Sequence, residues 1–473
     1  MNIFSKINSF LFPYAAEYEK LGPKRAVALG FQHAFAMSCA TILVPLLTGL
    51  DVGVALFCAG VGTLIFHLCT GGRMPTFLGS SFAFISALAG VIGNSAFGAT
   101  KDEQIAAAMG GVIVAGAFYL VLALIIRIFG KGLIDKLFPP VVRGVGITLI
   151  GLNLSSSAIS NIQTQYGADG STLTLFGEGF SMSAYVWGWV IAAIVCLLAI
   201  LLSSCGKGMV KMSSIVIALV TGYLFTLVVT KLGLAPASLM NTSVIGEYNW
   251  LQVPHFVLPR FNVTAIGMIA PIAIVTCVEH VGDVYANGAV VGKKFTRKPG
   301  LHRTMLGDGL ATMFAGFVGG PPNTTYSENT AVLAATGNYN PASLRIAALI
   351  AIVVSFFGKA IGVIQSVPNC VLGGACIVLY GMIASVGLRT LVENHVDFTK
   401  NRNLCIAAVM MVLAIGGAVI GNATFSFSNI GLGIIVGILL NLLIPNQESD
   451  GKGMVAHTVE EKEVLPERED KND

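Results

Sequence analysis

Of the 473 residues, 55% are hydrophobic and 11% charged, and the mean hydropathy is +0.79. Soluble domains carry about a quarter charged residues, so the composition excludes one and points to a chain that crosses the bilayer many times. The net charge of +4 is scattered through short polar segments rather than gathered on one face, which carries no sign of a nucleic-acid partner.

In chain order, residues 1–24 read as a cytoplasmic lead-in with an interfacial helix around 10–18 and no cleavable signal pattern. Apolar segments follow at 26–47, 52–70, 75–92, 105–129, 141–160, 184–202 and 212–229. A longer polar connection, 230–261, precedes a second set at 263–291, 302–319, 326–336, 342–361, 371–388, 404–421 and 430–443. A span takes about 20 residues, and these segments make fourteen crossings, several of them short, in one transmembrane domain over 25–445. The tail, 446–473, is charged and lacks aromatic residues, the composition of a disordered cytoplasmic extension. The nine cysteines lie in or beside apolar spans without metal-like spacing and read as small buried hydrophobes.

Lys and Arg test this map, because cytoplasmic loops carry the excess. The loops holding Arg73, Arg127/Lys131/Lys136, Lys207/Lys211, Lys293/Lys294/Arg297/Lys298 and Arg389/Lys400/Arg402 fall on the side of both termini. The opposite side has Lys101, Lys231, Arg260 and Lys359. Both ends are therefore expected inside.

Two segments are too broken for ordinary helices: Pro75-Thr76-Phe77-Leu78-Gly79-Ser80-Ser81-Phe82-Ala83-Phe84 and Gly319-Gly320-Pro321-Pro322-Asn323-Thr324-Thr325-Tyr326-Ser327-Glu328-Asn329. Irregular backbone at membrane depth survives only where protein buries it or where it lines a watery cavity. The two segments also correspond. Phe82 and Tyr326 are 244 positions apart, Gln32-His33 and Glu279-His280 are 247 apart, and Gly144 and Gly151 precede Gly374 and Gly381 by 230. The expected fold class is thus all-α and polytopic, with 14 transmembrane segments in two inverted 7-span repeats (25–230 and 262–445). Short extended pieces in the broken third and tenth segments are expected to pair, with Phe82 and Tyr326 facing one cavity near the midplane.

Four carboxylates sit in apolar sequence around the second break: Glu279, Asp283, Asp308 and Glu328. An ionisable group at the bilayer centre costs on the order of 2.5–3.5 kcal/mol on insertion scales, so by default it marks a substrate or proton path. Each also has a plainer reading. Asp283 could hold Glu279 or a neighbouring helix in place, and Asp308 could cap or bond a helix. His33 and His280 could shuttle protons or be hydrogen-bonded packing histidines. Phe82 and Tyr326 would be core aromatics were they not beside breaks, and Asn329 fits support of the broken backbone better than ligand contact.

Leu78-Gly79-Ser80-Ser81-Phe82-Ala83-Phe84-Ile85, Glu279-His280-Val281-Gly282-Asp283, Pro299-Gly300-Leu301-His302-Arg303 and Asn323-Thr324-Thr325-Tyr326-Ser327-Glu328-Asn329 resemble the nucleobase/ascorbate transporter family, and within it the bacterial uracil permeases. The resemblance runs over nearly the whole chain from Gln32. It implies a core domain beside a gate domain, a homodimer, and proton-coupled import of a neutral nucleobase across the bacterial inner membrane, with no cofactor besides the proton. Carried over residue by residue, it implies that Glu279 and Glu328 accept ring N–H groups, Phe82 stacks on the base, Tyr326 and Ser327 offer backbone groups to its carbonyls, and Ala40 lines the pocket. Glu279, Asp283 and Asp308 are the candidates for proton coupling, with His33, His280 and Asn329 in support.

Two departures bear on ring size. The uracil permeases often have His at the position of Asp283 and Asn at that of Asp308, so acids at both look more like xanthine and urate members. Against this, Glu328-Asn329 is the uracil-type pair where purine members usually carry Gln. Ser327 stands where a Gly is usual. The expected function is uracil import by proton symport, with a xanthine or urate permease of the same fold as the alternative. An anion exchanger of the related fold would want a basic residue at Glu328 and usually a soluble C-terminal domain, a channel needs no titrating acids, and no nucleophile or metal motif supports an enzyme.

Overall fold

The computed structural model describes residues 18, 22–130, 132–166, 172–173, 176–177, 179–421 and 426–445. The expected interfacial helix at 10–18, Tyr18 excepted, and the tail at 446–473 lie outside the described residues.

Local chemistry sets the first elements. Pro23, whose missing N–H costs nothing in a first turn, opens α1 (Pro23–Thr48). The Asp51 carboxylate accepts from the Val54 amide at 2.8 Å and caps α2 (Val52–Thr70). Strand β1 (Leu78–Ser80) follows, then a tight turn at Phe82–Phe84 and the short α3 (Ile85–Ile92). Thr100 and Glu103 form a capping box at the start of α4 (Lys101–Phe129). The first half continues with α5 (Pro140–Gln163), the hairpin of β2 (Gln165–Tyr166) and β3 (Thr172–Leu173), α6 (Met182–Cys205) and α7 (Ser214–Lys231).

The second half contains α8 (Val263–Ile269), α9 (Ile272–Val291), α10 (Leu301–Val318), β4 (Asn323–Thr325), α11 (Ser327–Thr336), α12 (Pro341–Val354), α13 (Gly358–Gln365), α14 (Asn369–Glu393), α15 (Asn401–Ile415), the hairpin of β5 (Val419–Gly421) and β6 (Ser426–Ser428), and α16 (Asn429–Leu443). Among the described residues, eight helical runs are long and apolar enough to cross a membrane, and nine if α12 and α13 count as one bent span. Shorter apolar helices lie at Phe82–Ile92, Asn401–Ile415 and Ile430–Leu443.

Over the expected span 342–361 the chain is broken, with α12 and α13 bent by 86°. At the break Ser355 Oγ donates to the Ile352 carbonyl at 2.6 Å, and the Phe356 carbonyl leaves the helical ladder to accept from the Gln252 amide at 2.9 Å. The connection between the halves is likewise more than a spacer. Tyr248 donates to Gln365 Oε1 at 2.7 Å, Lys359 Nζ donates to the Ile245 carbonyl at 2.9 Å, and farther on Arg260 N–H meets the Ala106 carbonyl at 2.8 Å. It runs across α13 and on to the start of α4.

Two groups of helices pack most closely within themselves. One contains α1, α2, α4, α8, α10 and α12 with both broken segments between them; the other contains α5, α6, α7, α14, α15 and α16. Helix α9 touches both. Within the second group α5 crosses α14 at close range: a Cβ on Gly151 would stand 2.4 Å from the Tyr380 carbonyl. The matched glycines are not equivalent in surroundings, because Gly374 abuts Ala192 of α6 while Gly381 has open space. Cys58, Cys277, Cys370 and Cys376 are buried as expected of small hydrophobes, but Cys205 and Cys405 are exposed. At one end of the molecule Tyr18 donates to the Arg73 carbonyl, with Lys293 Nζ 3.9 Å from its ring centroid. Three segments expected on one side of the membrane meet there.

Candidate functional site

The two broken segments pair as an antiparallel ladder, Leu78 with Thr325, Gly79 with Thr324 and Ser80 with Asn323. Each strand satisfies the other's backbone where no helix can, which is the condition for irregular chain buried in protein. Side chains reinforce it. Thr63 Oγ1 accepts from the Leu78 amide at 2.9 Å, Thr312 donates to the Asn323 carbonyl at 2.7 Å, and Asn323 Nδ2 donates to the Cys58 carbonyl at 2.8 Å. Gly319 ends α10 at φ 91°, a left-handed conformation that side chains resist, and its Cβ position is 2.8 Å from the Val257 amide.

Tyr326 follows β4 directly. Its hydroxyl donates to the Ser80 carbonyl at 2.9 Å and lies 3.5 Å from Thr41 Oγ1, and its ring covers Gly79 so closely that a Cβ there would come within 2.4 Å. Ala40, Tyr326 and the half-buried Phe82 belong to one apolar cluster. Ser327 opens α11, and its side chain lies outside the described part. Asn329 and Asn287 converge on one acceptor, the Pro75 carbonyl, at 3.2 and 2.8 Å. His33 is fully buried beside Asn329 but outside hydrogen-bond geometry.

The four carboxylates come from α9 (Glu279, Asp283), α10 (Asp308) and α11 (Glu328), and lie within electrostatic range of one another. They differ in what holds them. Asp283 Oδ2 accepts from Thr325 Oγ1 at 2.8 Å. Asp308 Oδ2 meets His280 Nδ1 at 2.7 Å, and the other nitrogen of that ring meets Thr304 Oγ1 at 3.0 Å, all in a fully buried group. The side chains of Glu279 and Glu328 bond to no other described residue. Glu279 is half-buried, and Glu328 is exposed although residues 321–326 before it are buried. An exposed carboxylate beside a buried ladder calls for an aqueous opening rather than lipid. Among the described residues no group of three or more His, Cys, Asp or Glu is placed to hold a metal ion.

Sequence reasoning missed Thr325, Thr304, Thr41 and Asn287. Asn287 had a signal: it follows Glu279 and Asp283 at the same four-residue step, so all three share one face of α9. The threonines had none, since their hydroxyl partners come from distant elements.

The sequence profile described as the Permease family (Xan_ur_permease) matches residues 24–422. This chain belongs to that family, the nucleobase/ascorbate transporters. It is a mostly helical, multi-pass membrane protein. It is 41% identical over 428 residues to the uracil permease of Bacillus caldolyticus, covering 89% of this chain and 92% of that one. The uracil permease of Bacillus subtilis (strain 168) is 39% identical over 432 residues, covering 90% and 93%. Among solved structures, that of SLC26A9 superposes with a TM-score of 0.66 at 16% identity, covering 93% of this chain and 68% of that one, a likeness of fold.

Proposed function

We propose that this transporter imports uracil by proton symport, through alternating access. The observation that carries the reading is the division among the four acids: the side chains of Glu279 and Glu328 bond to no other described residue, whereas Asp283 and Asp308 are each bonded to protein groups. Glu279 is half-buried and Glu328 exposed at the edge of the buried ladder, so both acceptors are open to a ligand's donors in place of water. Uracil presents two ring N–H donors, at N1 and N3, alternating with carbonyls at C2 and C4. Glu279 and Glu328 take the N–H groups, the amides at the start of α11 near Tyr326 and Ser327 face the carbonyls, Phe82 covers the ring, and Ala40 closes the pocket. The uracil permeases of the two Bacillus species support the choice of base. Because Asp283 and Asp308 are already engaged, they offer little to a purine, which leaves xanthine and urate as competitors in the test.

The same reading holds fourteen spans in two inverted sevens. Packing partners exchanged between the halves support it: α4 on α10 is matched by α12 on α2, α6 on α14 by α15 on α5, and α7 on α6 by α16 on α15. The group with the broken segments is then the core and the other the gate, in a homodimer of the bacterial inner membrane with both termini cytoplasmic. The proton is exchanged by the carboxylate group as a whole, with Glu279 the member nearest the base.

Uptake of labelled uracil into transporter-deficient cells tests this, with xanthine, urate, thymine and hypoxanthine as unlabelled competitors and a protonophore as control. Saturable uptake blocked by uracil and abolished by the protonophore is expected. Blockade by xanthine with uracil inert would overturn the choice of base, and indifference to the protonophore would overturn the coupling.

A further inference from the structure

Thr325 is the last residue of β4 and is buried, as is the Asp283 carboxylate to which its hydroxyl donates. Its backbone amide also lies toward Asp308, outside hydrogen-bond geometry. No other residue joins strand and acids in this way among the described hydrogen bonds. We infer that Thr325 is a positioning residue through which the charge state of Asp283 is passed to the half-helix that binds the base.

An ionised carboxylate only accepts, whereas a protonated one also donates. With Asp283 ionised, the Thr325 O–H is satisfied by Oδ2 at 2.8 Å. A proton arriving on that oxygen reverses the bond: Asp283 becomes the donor, Thr325 Oγ1 the acceptor, and the threonine hydrogen must find a new acceptor. A buried donor left without one costs about 1–3 kcal/mol, so the strand end shifts to avoid it.

What shifts with it follows from the chain. Tyr326 is the next residue, tied to Ser80 of β1, and Glu328 lies in the first turn of α11. The groups that reach Asp283 electrostatically from the elements around it are Glu279 on its own helix, Glu328 on α11 and Asp308 on α10, the last held by His280. All three are acids, so the neighbourhood responds to proton arrival as one unit while the hydroxyl of Thr325 reports it to the ladder. The inference rests on the proposed proton-coupled uptake of a base.

The test uses the full-length protein in proteoliposomes. Thr325→Val removes the hydroxyl and Thr325→Ser keeps it. Three quantities are read: uracil Kd, uracil counterflow without a gradient, and accumulation driven by an imposed inward proton gradient. Thr325→Ser is expected to match the wild type. Thr325→Val is expected to keep binding and counterflow while losing gradient-driven accumulation by at least about fivefold, the lower end of ordinary coupling between sites. In an Asp283→Asn background, where the partner cannot titrate, Thr325→Val is expected to add nothing further. Gradient-driven accumulation unchanged in Thr325→Val would overturn the inference, as would additive losses in the double variant or joint loss of binding and counterflow in both threonine variants. A wild-type protein that binds uracil yet ignores the gradient would overturn the coupling itself and this inference with it, which separates the two failures.

Discussion

Glu279 and Glu328 share a chemistry with Asp283 and Asp308 and differ from them in having no hydrogen-bond partner among the other described residues. Losing a hydrogen bond to a charged group costs about 1.5–3 kcal/mol, roughly 10- to 150-fold in affinity. Glu279→Gln and Glu328→Gln are each expected to weaken uracil binding by that order in calorimetry of the purified protein. Asp308→Asn keeps a group able to bond His280 and is expected to change coupling or selectivity with a smaller loss of affinity. Equal and complete losses in well-expressed variants would contradict the ranking. At this scale the acids were legible in the sequence because charge in an apolar span is costly anywhere. Thr304 in an apolar segment and Thr325 in the break were not, because nothing in either stretch tells which hydroxyl meets a carboxylate or a histidine until its partner from another element is known.

At the scale of elements, the ladder and its cover make a sharp demand on Gly79. A methyl group there would run into the Tyr326 ring, which is pinned through Ser80. Overpacking costs about 1–3 kcal/mol, so Gly79→Ala is expected to lower thermal stability by that order. Adding Tyr326→Ala is expected to recover part of the loss, and additive destabilisation in the double variant would count against the contact. Asp51 offers a pH test outside the spans. Burial, the largest influence, pushes its carboxyl up, against the Val54 and Gly53 amides and the charges of His255 and Lys101. A group whose pKa is raised by folding binds its proton more tightly in the fold, so stability falls as pH climbs through and above the ordinary carboxylate range. Asp51→Asn keeps a cap without the buried charge. Its thermal stability is expected to exceed the wild type at neutral pH, with the gap closing at acid pH, whereas Asp51→Ala loses about 1 kcal/mol of capping. The strand pairing could be anticipated from Gly and Pro placement. The 86° bend between α12 and α13 had one local signal, Gly358 after Ser355-Phe356-Phe357, and its packing against Asn249 and Gln252 comes from a distant segment.

Across the whole molecule, two connections between the helix groups are docked on one another: the run through Ile245 and Tyr248, which links α7 to α8, and α13, which links α12 to α14. If the groups move past each other during transport, these connections move together. A Tyr248→Phe, Gln365→Ala double variant is expected to reduce the maximal uptake rate with uracil Kd changed by no more than about 0.5 kcal/mol, as for substitutions remote from a site. A matching loss of affinity would place the effect at the site instead. The proposed division of the chain into halves rests on repeated motifs and alternating basic loops, which the sequence displays. The docking of their connections was not legible there, because segment 230–261 has the composition of an ordinary loop.

The ladder also has a consequence for biogenesis. Ser80 and Tyr326 are 246 positions apart, and at roughly 5–20 residues per second of synthesis the ribosome needs on the order of tens of seconds to supply the second strand after the first. Throughout that interval β1 is a membrane-inserted backbone without its partner, and each unsatisfied group costs several kcal/mol in hydrocarbon. The nascent first half is therefore a client of the insertion machinery until its counterpart arrives. Pulse-labelled protein ending after Lys231 is expected to be degraded faster than the full chain, and co-synthesis of the second half as a separate polypeptide is expected to extend its lifetime; indifference to the second half would mean that β1 finds shelter within its own half.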